Sequence, residues 1–326
     1  MRRCLQLAQC GSNEAAPNPM VGAVVVCDGR IIGEGYHQRC GEAHAEVNAI
    51  ASVKEMDLLQ RSTLYVSLEP CAHYGKTPPC AQLIIDKKIP EVVVGCRDPF
   101  AQVNGKGIEM LRNAGITVRE GVLEQECLEL NRRFITFHTL HRPYITLKWA
   151  QSKDGFIDKV RTDEHEAPVR FSTPITQALA HQLRAENEAI LVGYRTVMLD
   201  NPSLTTRAWY GKHPKRVVID PQNALPSDRR IFDNQAPTYV FGSISEALTK
   251  LHTLQVQSLV VEGGAKTLGQ FIEAGLWDEA RIETAPILLH NGIPAPHIDG
   301  QTVSTLSIDG RDITILRHRA TPQRPS

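Results

Sequence analysis

His44-Ala45-Glu46, answered by Pro70-Cys71 and then by Cys80, is the stretch from which the rest of this chain is read. One imidazole and two thiolates make three zinc ligands, the number a catalytic site uses because its fourth position is kept for water. Water held there is acidified towards neutrality and can attack an electron-poor ring carbon that carries an amino group. Glu46 lies two residues past His44 on an expected helix over 43–51, too close along the turn to share the metal and well placed to move protons. That is the pattern of zinc deaminases, whose glutamate is acid and base but not a ligand. One departure is visible: the usual pattern sets its cysteines two residues apart, whereas residues 72–79 separate these.

Other readings of the same residues stay open at this level. A His-x-Glu pair is common on helices. Cys71 and Cys80 could form a disulfide, or close a structural zinc site with His73 as fourth ligand. The absence of a secretory signal disfavours the disulfide and points to the cytoplasm.

At 326 residues the chain has room for two domains with separate cores. Its 36 basic and 36 acidic residues balance, so no electrostatic footprint for a polynucleotide exists and a small-molecule substrate is favoured. The apolar runs are strand-length, too short for a membrane span. All eight cysteines precede residue 130, which marks a change of domain. A helix expected over 124–140 is interrupted by His141-Arg142-Pro143, giving domains at 1–142 and 143–326.

The first domain reads as strands over 21–27 and 30–36 joined by an Asp28-Gly29 hairpin turn, then strands over 63–68 and 91–96 with a helix from about residue 79. The alternation predicts an α/β layer architecture with a mixed sheet. Pro70-Cys71 is expected at a strand-to-helix junction, where a helix N-terminus favours thiolate. The second domain reads as a strand over 144–149, a polar surface loop over 161–168, and a helix from Pro174 capped by Ser172 or Thr173, with Ile175, Ala178, Leu179, Gln182 and Leu183 on one face. Strands follow over 189–192, 216–219, 238–241, 258–261 and 281–286, and the tail from Thr321 is expected to be disordered. Val261-Glu262-Gly263-Gly264-Ala265-Lys266-Thr267 passes from strand to helix through two glycines, either a phosphate cradle or simply a tight turn.

Pro17-Asn18-Pro19-Met20-Val21-Gly22, Gly35-Tyr36-His37, His44-Ala45-Glu46, Leu68-Glu69-Pro70-Cys71 and Gly75-Lys76-Thr77-Pro78-Pro79-Cys80 together resemble the bacterial riboflavin-biosynthesis deaminases, whose widened cysteine spacing matches the departure above. Leu183-Arg184-Ala185, Ala189-Ile190-Leu191-Val192-Gly193, Asp200-Asn201-Pro202-Ser203-Leu204-Thr205 and Val261-Glu262-Gly263-Gly264 resemble the reductase fused behind them. The resemblance implies a cytidine-deaminase-like three-layer domain followed by a dihydrofolate-reductase-like α/β domain. It implies hydrolytic deamination of a diaminopyrimidine bearing a 5-phosphoribosylamino group, then NADPH reduction of the ribosyl to the ribityl chain, with Zn2+ and NADPH as cofactors.

Carried over by motif, His44, Cys71 and Cys80 hold zinc, Glu46 shuttles protons, and Asn18, His73 and Lys76 contact substrate, the last two suiting a phosphate. Reduction of the opened sugar is helped by a nearby acid, for which Lys148 and Asp200 are the candidates; by resemblance, Arg184, Leu204, Arg207 and Glu262 contact substrate, and Ala150, Thr196, Asp200, Gly264, Ala265, Lys266 and Thr267 form the NADPH site. Plainer roles are available to some: Asn18 in a Pro-flanked turn, Lys76 and Lys148 as surface charges, Asp200 in a turn before Asn201-Pro202, Arg184 on a solvated helix face. Pro168 and Arg170 replace the Ser and Trp of many members, with extra residues upstream, so no contact is carried over there; Arg170 could assist the NADPH 2'-phosphate.

Two further readings compete: a nucleoside or nucleic-acid deaminase with an unrelated second domain, and a non-catalytic zinc-stabilised binding module. The second has no need of Glu46. A closed-symmetry homo-oligomer is expected on base rate.

Overall fold

Asp28 and Gly29 both take positive φ, 49° and 74°, and so form the two-residue turn whose twist matches a hairpin. The hairpin joins β1 (Gly22–Cys27) to β2 (Arg30–Tyr36), the first elements of a sheet completed by β3 (Thr63–Leu68), β4 (Glu91–Cys96) and β5 (Thr117–Arg119). Strand order is β2-β1-β3-β4-β5, with β1 antiparallel to both neighbours and the remaining pairs parallel. This computed structural model describes residues 1–12, 14–73, 78–99, 104–162 and 165–319. The chain divides into two compact units between His141 and Arg142.

In the first unit β1, β3 and β4 are buried along almost their whole length, as strands covered on both faces must be. Their core joins Val25, Leu64, Val66, Val92 and Val94 to Ala45, Ala49, Ile84 and Leu111 from the helices. The helix Ala45–Ala51 lies so close to β2 that a Cβ on Gly35 would stand 2.3 Å from the Ala49 amide nitrogen. Glycine at that position is therefore what lets the helix carrying His44 and Glu46 settle against the sheet. The expected helix over 124–140 is two, Glu124–Leu130 and Arg132–Leu140. Asn131 causes the break: its buried amide accepts from Met20 N–H and donates to Met20 C=O, both at 2.9 Å. The helices Arg2–Gln9 and Lys106–Asn113, and β5, were not anticipated.

The second unit is built on β6 (Tyr144–Ser152), β8 (Ala189–Gly193), β9 (Lys215–Ile219), β10 (Thr238–Phe241), β11 (Ser258–Val261), β12 (Glu279–Ala285), β14 (Gln301–Ile308) and β15 (Arg311–Arg317), with a small pair β7 (Phe156–Asp158) and β13 (Ile293–Pro294). The order is β10-β9-β8-β11-β6-β12-β15-β14, parallel as far as β12 and antiparallel beyond. The helix Pro174–Ala185 has the expected cap: Thr173 Oγ1 accepts from Thr176 N–H, and Thr176 Oγ1 accepts from Thr173 N–H. Its buried face is only partly the expected one: Leu183 is buried as expected, but Ile175 is 54% exposed, and Thr176 and His181 are buried instead. Arg161, expected on a surface loop, is also buried. The tail from Thr321 lies outside the described residues. Among the described residues no helix is long and apolar enough to cross a membrane.

Candidate active sites

His44 is the N-cap of the helix Ala45–Ala51 rather than its interior, held by Asn48, whose amide donates to the carbonyls of Tyr36 and Ala43. Its Nδ1 faces two sulfurs, 3.6 Å from Cys71 Sγ and 3.4 Å from Cys80 Sγ. The two cysteines are also tied through the backbone: Cys80 N–H donates to Cys71 Sγ at 3.3 Å, and Ala81 N–H to Cys71 C=O at 3.2 Å. Cys80, not Cys71, opens a helix, Cys80–Asp86. β3 ends at Leu68 and Pro70-Cys71 follows it outside any strand or helix, so the expected helix start falls at the second cysteine instead.

The three ligand atoms lie within 4.8 Å of one another, and among the described residues no fourth His, Cys, Asp or Glu joins them. One nitrogen and two sulfurs are the donor set that borderline-soft Zn2+ prefers, so these residues fit the ion and leave it an open position. Among the described residues Cys71 and Cys80 are free thiols and exposed His73 lies outside the group, an arrangement that favours neither the disulfide nor the closed structural site. The hydrogen bond from the Cys80 thiol pulls Cys71 down to about 4, and the same bond, with burial, pushes Cys80 up. The separate hydrogen bond that His44 makes to Cys71 raises the imidazole.

Glu46 is 3% exposed. Burial, then the neighbouring Cys71 thiolate, pushes its carboxyl up to about 7. Asn18 is half-buried, with Nδ2 3.0 Å from His37 Nε2; the other ring nitrogen of buried His37 donates to Ala43 C=O. The pairing fixes the Asn18 amide and leaves its oxygen to other donors. His37 and Glu69 went unassigned in the sequence. The Glu69 carboxylate accepts from the backbone amides of Asp98, Gly105, Gly107 and Ile108. Lys76 lies outside the described residues.

In the second unit a cleft of about 1510 Å³ opens at the carboxyl ends of β6, β8, β9, β10 and β11, where open parallel sheets take their ligands. Lys148, Ala150, Thr196, Asp200, Glu262 and the turn from Gly264 to Thr267 line it. Gly193 and Gly264 are N-caps of the helices Tyr194–Asp200 and Ala265–Glu273, and neither start is capped by a side chain. Their first-turn amides remain available to a ligand. A Cβ on Gly264 would meet nothing closer than Thr196 Oγ1 at 3.8 Å, so the space over that amide is left for something other than protein.

Charge points the same way. The cleft carboxylates are satisfied internally: Asp158 and Asp200 by Arg161, Glu262 by Arg184, and Asp220 by the amides of Gln222, Ala224 and Leu225. Lys148, Arg170, Arg195 and Lys266 line the same cleft and make no ion pair among the described residues. Surplus cations beside two open helix starts fit a polyanion such as NADPH.

Arg184 holds Glu262 through parallel bonds of 2.8 and 2.7 Å, and both groups are nearly buried. Burial would push Glu262 up, but Arg184, and then Lys148, outweigh it and hold the carboxyl below its ordinary range. Of the remaining residues carried over by motif, Arg207 is exposed and Leu204 packs its side chain into a core with Leu183 and Ile190; neither lines the cleft. His181 is lowered to about 4, chiefly by burial and then by the charges of Arg184 and Arg207. Arg161 and Arg195 were missed.

The family profile of the RibD C-terminal domain matches residues 143–319, and that of the cytidine and deoxycytidylate deaminase zinc-binding region matches residues 1–96. The chain is 39% identical over 318 residues to the riboflavin biosynthesis protein RibD of Aquifex aeolicus, covering 90% of this chain and 88% of that one. It is 36% identical over 327 residues to the Escherichia coli protein of the same name, covering 89% and 87%. A crystal structure of a diaminohydroxyphosphoribosylaminopyrimidine deaminase/5-amino-6-(5-phosphoribosylamino)uracil reductase from Thermotoga maritima superposes with a TM-score of 0.87 at 36% identity, covering 98% of this chain and 97% of that one.

Proposed function

The chain belongs to the RibD family, in which a zinc-dependent deaminase and an NADPH-dependent reductase of riboflavin biosynthesis share one polypeptide, and we propose that its two sites act in turn on one pyrimidine ribotide. The substrate is a diaminopyrimidinone carrying a 5-phosphoribosylamino group. The first site removes one ring amino group as ammonia, and the second reduces the ribosyl unit to ribityl. The observation that carries the reading is the open three-ligand group of His44, Cys71 and Cys80 with Glu46 buried beside Cys80.

In the deaminase site His44, Cys71 and Cys80 hold the zinc. When bound, the ion acidifies a water for attack on the ring. Glu46 takes the proton released in that attack and delivers it to the departing amine, and burial, by raising its pKa towards neutrality, suits it to both transfers. Asn18 presents its amide oxygen to the pyrimidine, while His73 and Lys76 take the phosphate. In the reductase site the turn from Gly264 to Thr267, with Ala150, Thr196 and Asp200, binds NADPH, which supplies the hydride. Lys148 polarises or protonates the opened sugar. Glu262, held by Arg184, forms the substrate side of the cleft, and Arg207 with the Leu204 backbone would approach the substrate from the loop that Arg184 ties down through the Thr205 carbonyl, outside the cleft lining.

All eight cysteines are free, which favours a reducing, cytoplasmic setting. We further propose a homo-oligomer: β14 ends its sheet, and Val303 and Leu306 on it are more than half exposed, a face suited to pairing. One coupled assay tests the whole reading. With the diaminopyrimidine ribotide supplied, wild type releases ammonia and oxidises NADPH; Glu46→Ala loses both signals; Asp200→Ala, at sub-saturating cofactor, loses only the second. Ammonia release from cytidine or tRNA without NADPH oxidation would refute it.

A further inference from the structure

Arg161 follows β7 and precedes the helix Pro174–Ala185. Its guanidinium is almost wholly buried and makes four hydrogen bonds: Nε to Asp158 Oδ2 at 2.7 Å, Nη1 to the carbonyls of Glu166 and Leu199 at 3.2 and 3.4 Å, and Nη2 to Asp200 Oδ1 at 2.5 Å. Asp158 Oδ1 accepts from Lys159 and Val169 N–H, tying the two ends of the loop together. Arg195 Nη2 donates to Arg161 C=O at 3.1 Å. One buried cation thus joins β7, the loop and the end of the helix Tyr194–Asp200.

The position of Asp200 makes that cation necessary. Asp200 is the last residue of its helix, where the macrodipole is negative and a carboxylate is disfavoured. Arg161 answers both the carboxylate and the C-terminal carbonyl of Leu199. With Oδ1 occupied, Oδ2 makes no hydrogen bond among the described residues, and the residue lines the cleft.

We propose that Arg161 is a positioning residue of the reductase site, holding Asp200 as a fixed carboxylate whose free oxygen accepts a hydrogen bond from a sugar hydroxyl of a ligand in the cleft. Asp200 then orients and does not protonate, and Lys148 is left as the proton donor. The inference rests on the assignment of Asp200 to the reductase site. Two sugars bring such hydroxyls: a ribose of NADPH and the ring-opened chain of the pyrimidine ribotide.

Steady-state kinetics of the full-length holoenzyme with the aminouracil ribotide and NADPH decide the matter in Arg161→Met, Arg161→Lys, Asp200→Ala and the Arg161→Met/Asp200→Ala double variant. The expected result is a rise of about tenfold in one KM for Arg161→Met, the worth of one charge-assisted hydrogen bond, with kcat within about twofold. Arg161→Lys restores most of it, and the double variant is no worse than Asp200→Ala alone, because both changes remove the same contact. Which KM moves, that for NADPH or that for the ribotide, identifies the sugar. A fall in kcat with both KM values unchanged, additive losses in the double variant, or no effect of Arg161→Met while Asp200→Ala is impaired would overturn the inference and leave the site assignment standing. Unimpaired Asp200→Ala would overturn the assignment itself, and the inference with it.

Discussion

Replacing Arg184 by Met should destabilise the second unit strongly at neutral pH and much less in mild acid. The Arg184 and Glu262 side chains are only 14% and 12% exposed and share two parallel hydrogen bonds. Methionine keeps much of the arginine's length and removes its charge, stranding a buried carboxylate. Losing one partner of a buried pair costs about 3–5 kcal/mol. Lys148 still acts on Glu262, so the lower end, about 3 kcal/mol, is expected, equivalent to roughly 6–12 °C for a unit of this size. In wild type the carboxyl is held below its ordinary 4.5, so its contribution is complete above that pH and lost only as pH falls through the lower folded value. In Arg184→Met burial, opposed by Lys148 without the guanidinium, lifts the carboxyl above 4.5; the penalty is full above the raised value and disappears as pH falls towards 4.5. The gap between the two proteins must therefore narrow from pH 8 to pH 5. Thermal melting followed by tryptophan fluorescence reads this unit selectively, because Trp149, Trp209 and Trp277 all lie in it. A gap below about 1 kcal/mol at pH 7.5, or one that does not change with pH, would refute the assignment of Arg184 as the charge that keeps Glu262 ionised.

Gly264→Val should fold normally, since φ is −70° and the added Cβ clears the protein, yet raise the KM for NADPH by at least about tenfold by filling the space over the helix start; an unchanged KM would show that no phosphate sits there. Asn131→Ala strands the Met20 amide and carbonyl, and calorimetry should find the first unit weaker by about 2 kcal/mol. A loss confined to the second unit would contradict that.

What could be read in the sequence was what local pattern encodes. The Asp28-Gly29 hairpin, the β3 and β4 strands and the Thr173 cap announce themselves within a few residues. His44-x-Glu46 and the cysteines did so as well, because metal chemistry narrows the choice of side chains. Arg161 and Asn131 did not: their partners Asp200 and Met20 lie 39 and 111 residues away, and nothing local distinguishes an arginine or asparagine with a distant partner. Ile175 was misjudged because helical spacing gives a stripe without saying which side the sheet takes; Thr176, anchored to Glu283 at 2.6 Å, sets the orientation instead. The β14–β15 hairpin was missed because β14 is largely exposed and carries little apolar alternation.

The central claim is that an open zinc site and one carboxyl group deaminate the pyrimidine. Metal content and ammonia release, measured together on purified wild type and Glu46→Gln, test it most directly. The account predicts one zinc ion bound to each chain in both proteins, with ammonia released by the wild type alone. A metal-free wild type that still deaminates, or a zinc-loaded Glu46→Gln as fast as wild type, would contradict it.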